Sequence, residues 1–237
     1  MSSLPAADQT RLLLQCRPVS LGAATVLYDM GDAVRQVHLP LSGVVSLVSG
    51  VANGSTVEVA SVASEGLVDP LVALGEERAP WRAVVQIEGD FLRAGMREFR
   101  TELARSAALV GLCEHLVTDL AIQISRSAAC NSLHPVEQRL CRWLLKANDR
   151  AESDEMHLTQ QFMAEMLGVR RPTVSAAVAL LEKAGLVECS RGKIVLRSRE
   201  GLENAACECY SLIDRPLARA HRQRLARSTR AANATQA

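Results

Sequence analysis

The sequence predicts an α+β chain in three consecutive parts: an antiparallel β domain, a long helix, and a smaller helical domain closed by a β-hairpin. Three observations predict it. Between Val19 and Phe91, short β-branched runs alternate with glycines; from Glu98 the apolar period lengthens to about three and a half residues; after Pro135, short amphipathic helices give way to two β-like runs. The corresponding boundaries are residues 1–97, 98–131, 132–205 and a C-terminal helix or tail over 206–237. A chain of 237 residues, 48% hydrophobic and 22% charged, has the composition of an ordinary folded protein.

In the β domain the strand-like runs are 25–28, 37–39, 43–48, 56–59 and 83–87. Asn53 and Gly54 lie between two of them, and both tolerate the positive φ of a tight hairpin turn. In the second part Leu103, Val110, Val117 and Ile124 recur every seven residues, with Cys113 and Leu120 three positions after two of them. One uninterrupted helix of roughly 30 residues, about 45 Å long, is expected. Such a stripe is either a core helix lying on its own β domain or a two-stranded seam between protomers. Length and heptad spacing favour the seam, with Leu103, Val110, Cys113, Val117, Leu120 and Ile124 on it.

The third part opens with an amphipathic helix from Val136. Over 158–179 the residue types then suit two short helices that cross tightly. Thr159 is an N-cap, Met163 and Leu167 form a buried face, Ala164 permits close approach, and Gly168 supplies a left-handed turn. Val169, Val174 and Ala177 line the second helix, and Pro172 sits in its first turn, where a missing N–H costs nothing. Gly185 ends that helix; the runs 186–189 and 193–196 flank a turn with a basic tip. This is the pattern of a helix-turn-helix followed by a wing. Arg170, Arg171, Thr173 and Ser175, with Thr159, Gln160, Arg191 and Lys193, are the candidate DNA contacts, since such side chains bond phosphates and base edges.

Charge agrees with that reading. The whole chain carries a formal charge of only +1, but residues 1–131 hold 10 basic and 14 acidic side chains and residues 132–199 hold 11 and 8. The basic excess sits where a phosphate-facing surface is expected. Aromatics at 3% exclude a stacking platform for single strands. No Gly-x-Ser-x-Gly elbow, P-loop or dinucleotide fingerprint is present, so no enzyme is expected. A winged helix that binds only protein is the alternative reading.

The seven cysteines are odd in number and scattered, unlike a disulfide framework. Cys207 and Cys209 are the closest pair, but on a helix residues two apart diverge by about 200°, so no metal site is expected. No stretch of about 18 consecutive apolar residues occurs, and the first ten residues lack the marks of a signal peptide. A cytoplasmic location without a membrane partner follows as the expectation.

With these motifs in place, the chain resembles the Crp/Fnr family of bacterial transcription regulators over roughly residues 20–210. The likeness is most specific from Leu158 to Leu196. It extends to the β domain through Thr25–Asp32 and Ser42–Ser46, which resemble the family's cyclic-nucleotide-binding-type β-roll, a jelly-roll-like fold. The resemblance implies a homodimer on palindromic double-stranded DNA, with RNA polymerase as a further partner and a signal sensed in the β-roll. Cyclic-AMP-binding members carry a Gly-Glu-apolar cassette followed by Arg-Ser or Arg-Thr. Here the best match is Val68, Asp69, Pro70 with Arg78, Ala79, so Asp69 and Arg78 are the candidate effector contacts and cyclic AMP is not the expected effector. The N-terminal region offers one cysteine, Cys16, too few for the family's iron–sulfur cluster. His38 and His115 are the conceivable haem ligands, but lone histidines are more often core or surface residues. No cofactor is expected.

Overall fold

The computed structural model describes residues 4–52, 54–151, 153–190 and 192–211. A short helix α1 (Ala6–Leu14) precedes seven strands: β1 (Arg17–Leu21), β2 (Val26–Tyr28), β3 (Gln36–Pro40), β4 (Val44–Gly50), β5 (Thr56–Val62), β6 (Arg82–Ile87) and β7 (Gly89–Gly95). They form two antiparallel sheets ordered β1-β7-β3 and β2-β6-β4-β5. Alternation decides which side chains fill the space between them. Val45 and Leu47 of β4 pair with Val85 and Ala83 of β6, and these four join Val37 and Phe91 in the fully buried core. The intervening residues Ser46, Val48 and Val84 face the other way, against the C-terminal domain.

The antiparallel β domain is as the sequence predicts, with two additions. The strands β1 and β7, which pair from Arg17 with Arg93 to Leu21 with Gly89, carry too little β-branching to stand out. The β4–β5 hairpin is present, but Val51 N–H bonds to the Ser55 carbonyl, so the connection is longer than a two-residue turn. Asn53 itself lies outside the described residues.

The expected single helix over residues 98–131 is corrected. There are two helices, α2 (Met96–Arg105) and α3 (Ala107–Leu133), separated by Ser106 in an extended conformation. The cause is local hydrogen bonding: Ser106 Oγ accepts from Leu109 N–H as the N-cap of α3 and donates to Asp8 of α1. Leu103 therefore lies on α2, off the line of the α3 stripe.

The C-terminal part contains α4 (Val136–Ala151), β8 (Glu155–Met156), α5 (Gln160–Leu167), α6 (Arg171–Lys183), β9 (Val187–Ser190), β10 (Lys193–Leu196) and α7 (Arg199–Ala205). Its sheet is ordered β8-β10-β9. Leu140, Leu144, Met163, Val174, Ile194 and Leu202 form its core. Helix α7 ends at Ala205 and Ala206 is extended, with ψ 155°. Cys207 and Cys209 thus follow a helix terminus, which corrects the expectation that they diverge along continuous helix. Residues 212–237, including the tail expected to fray from Leu217, lie outside the described residues.

Candidate nucleic-acid interface

Thr159 caps α5, its side chain accepting from Phe162 N–H, as the sequence predicts. The helix stops at Gly168 in the left-handed region, φ +65°, and three residues later α6 begins. Only glycine suits that turn. Besides the positive φ, a Cβ there would lie 3.1 Å from the Val57 side chain of β5. The crossing helices are tied by Ser175 Oγ, 2.7 Å from Gln160 Oε1. Val174, Ala177 and Val178 are buried beneath α6, whereas Arg170, Arg171, Pro172 and Thr173 are exposed at its N-terminus. The positive end of the helix dipole lies beside these two exposed arginines, an arrangement that attracts phosphate.

The wing is β9 and β10, in register from Val187 with Leu196 to Ser190 with Lys193. Gly192 takes φ +83° at its tip; Arg191 lies outside the described residues. Lys193 forms an ion pair with Glu155 on β8. The candidate DNA contacts thus divide into three settings. Arg170, Arg171, Thr173 and Thr159 are open to solvent, Ser175 and Gln160 are turned toward each other, and Lys193 is paired with a carboxylate.

The C-terminal domain is docked on the outer face of the β4–β5–β6 sheet. Val48 and Val84 belong to the same apolar cluster as Trp143, Leu144 and Met163. At its edge Glu58 is buried between the domains. Its carboxylate accepts from Trp143 Nε1–H (3.1 Å), Lys146 Nζ (3.1 Å) and Ser46 Oγ (2.7 Å). Arg150 adds a second tie, to Ser61 and to Glu65 at 2.9 Å. A carboxylate at this depth is tolerable because a buried cation and two further donors satisfy it. These inter-domain residues carried no signal in the sequence: a single Glu in a strand and a Trp 85 positions later share no local pattern.

The two candidate effector contacts do not converge. Asp69 is fully buried in the left-handed region, φ +64°, with both carboxylate oxygens lacking a hydrogen-bond partner. Burial pushes its carboxyl up to about 6, and the Glu76 charge adds to the rise. Arg78 is exposed and donates to the Gly31 carbonyl at 2.8 Å. Tyr28 Oη and Trp81 Nε1–H are likewise buried without partners. Burial raises the Tyr28 phenol, and the Asp69 charge adds to that rise. His38 is buried between strands, its imidazole pulled down to about 4 by burial, while His115 lies on the exposed side of α3 beside Asp119.

Of the expected seam, Cys113 and Leu120 are 1% and 4% exposed within a single chain, where they join Leu109 against the β domain. Val110, Val117 and Ile124 are half-buried and flanked by exposed Gly111, Ala121, Ile122, Ser125 and Ala128. Among the described residues α3 alone is long and apolar enough to cross a membrane by length and composition, yet only 17% of its most apolar stretch is buried in the chain.

Residues 138–205 match the Crp-like helix-turn-helix domain family. No curated protein sequence matches the chain. Among solved structures, the c-di-GMP-responsive global regulator CLP of Xanthomonas campestris superposes with a TM-score of 0.67 at 16% identity, over 82% of this chain and 100% of that one. FixK2 of Bradyrhizobium japonicum does so at 0.67 and 16%, over 81% and 98%. A CRP-family transcriptional regulator of Thermus thermophilus does so at 0.68 and 16%, over 79% and 96%. The chain has the fold of Crp/Fnr transcription regulators, with a Crp-like helix-turn-helix domain at its C-terminal side.

Proposed function

We propose that this chain, with its Crp-like helix-turn-helix domain on a Crp/Fnr fold, regulates transcription as a homodimer bound to a palindromic operator. The observation that carries the reading is the first turn of α6: Arg170, Arg171 and Thr173 stand exposed at a helix N-terminus whose opposite face is locked into a core. A helix so held can enter the major groove with its N-terminal side chains toward base edges. Arg171 reads a base and Arg170, Thr173 and Thr159 bond phosphates, with Arg191 and Lys193 following from the wing.

The apolar face of α3 supports the dimer. Its Val110, Val117 and Ile124 are spaced for a parallel seam, and the small residues beside them let two helices approach closely. A two-fold axis there sets two recognition helices about one turn of DNA apart, ~34 Å. The β-roll is the sensing domain, and Glu58 couples it to the helix-turn-helix, since any movement of β5 acts directly on α4. The DNA contacts are tested by titrating duplex DNA at several salt concentrations. Affinity should fall steeply and linearly on a log–log plot, as counterion release requires. Capture of a protein partner with no DNA affinity at low salt would replace this reading with that of an adaptor.

A further inference from the structure

Four side chains from two distant parts of the chain meet at the end of α3. Cys130 lies in the last turn of α3. His134 follows it by four residues, on the same face of the helix, and ends the helix as its C-cap. Cys207 and Cys209 come from the segment after α7. The Sγ atoms of Cys130 and Cys207 are 3.5 Å apart, Cys209 Sγ is 3.7 Å from His134 Nδ1, and the four candidate ligand atoms all lie within 4.8 Å of one another. All three thiols are buried.

We propose that Cys130, His134, Cys207 and Cys209 form a tetrahedral site for a single zinc ion, which fastens the end of α3 to the C-terminal domain. The spacing is that of a mononuclear centre: Zn–S bonds of about 2.3 Å place thiolates about 3.8 Å apart on a tetrahedron. A polynuclear iron–sulfur cluster would hold its thiolates further apart. A disulfide between Cys130 and Cys207 would require the sulfurs to close to about 2.05 Å and would leave Cys209 and His134 without a role. Three soft, buried thiolates and one partly exposed imidazole are a zinc donor set of the structural kind.

The surroundings suit the ion. His134 Nε2 lies 3.1 Å from Glu208 Oε1, so a proton on Nε2 is held by the carboxylate and the Nδ1 lone pair is left facing the thiols. That carboxylate–histidine arrangement orients metal-bound imidazoles. Zinc with three thiolates and neutral histidine carries one net negative charge. The positive charge of Arg142, buried beside Cys130, offsets it. Arg139 is buried nearby, with its Nε lacking a hydrogen-bond partner. Two ligands lie before Pro135 and two after α7, so the ion spans the joint between α3 and α4. The site stands on its own geometry and holds whether or not the chain binds DNA.

The test uses the full chain, purified under reductant, stripped with chelator, and titrated with Co(II) and then Zn(II). One cobalt per chain should bind, with the intense visible absorption of tetrahedral thiolate-bound Co(II), and zinc should displace it. Cys130→Ser and Cys209→Ser should abolish the signal, while Cys16→Ser and Cys189→Ser leave it intact. Should a ligand variant fail to fold, Glu208→Gln keeps the test decisive: it removes no ligand and should weaken zinc about 10-fold or more in chelator competition. Absence of stoichiometric metal in the wild type would overturn the site. So would undiminished binding in folded ligand variants or in Glu208→Gln, a Cys130–Cys207 disulfide in the reductant-purified chain, or an iron–sulfur chromophore with acid-labile sulfide.

Discussion

Asp69 sits in the left-handed region, which Asp tolerates better than most side chains, but burial of its charge outweighs what the neighbouring Tyr28 and Leu71 donors give back. Its native carboxyl, raised to about 6 from an ordinary 3.8, holds a proton more tightly than the unfolded chain does. Its contribution to stability is therefore full below about pH 4, declines as pH rises through about 6, and remains a penalty above that. Asp69→Asn, which keeps the tolerated conformation, should raise stability at pH 7.5 by about 3 kcal/mol and lose that advantage near pH 4. Urea denaturation at the two pH values measures it. A loss of stability at pH 7.5 would mean that the donors around the ionised carboxylate outweigh its burial. At the proposed DNA surface, Lys193 is held by Glu155, so Glu155→Gln should free the lysine and strengthen binding at low salt. The salt slope should steepen by about one, and fluorescence anisotropy reads both effects.

Among the elements, α3 and the β5–α4 contact carry the most consequence. Val117→Asp puts a charge in the middle of the half-buried α3 stripe. Sedimentation should show a folded monomer that has lost its operator. A variant that stays dimeric at micromolar concentration would place the seam elsewhere. Glu58→Gln leaves the buried Lys146 ammonium without its carboxylate and should cost about 3 kcal/mol, most of it recovered in the Glu58→Gln, Lys146→Met double variant. Urea denaturation of the three variants gives the comparison. The elements also show what the sequence conveyed and what it did not. Gly168, Thr159 and Pro172 fix α5 and α6 by turn and cap chemistry, and that chemistry is local, so those helices were legible. The break at Ser106 was not. A serine inside a heptad pattern says nothing until Asp8 of another helix is beside it. Cys113 and Leu120 likewise fit the heptad and yet face the β domain, because a seven-residue repeat does not say which neighbour covers each side of a helix.

At the scale of the whole molecule, the order of β domain, long helix and winged helix could be read from changes in period and from one charge asymmetry. The docking of its parts could not. Glu58 with Lys146, and Cys130 with Cys207, are pairs separated by most of a domain, brought together by packing that no window of sequence contains. In the proposed complex, two copies of this molecule present their Arg171 side chains to successive major grooves. Selection of bound fragments from random duplex DNA, run with the wild type and with Arg171→Ala, tests it most directly. The wild type should return a palindrome with a guanine in each half-site and centres about one helical turn, ~34 Å, apart, and the variant should lose about 1–3 kcal/mol of preference at that guanine alone. An unchanged motif with Arg171→Ala, or no enriched palindrome with the wild type, would contradict the account.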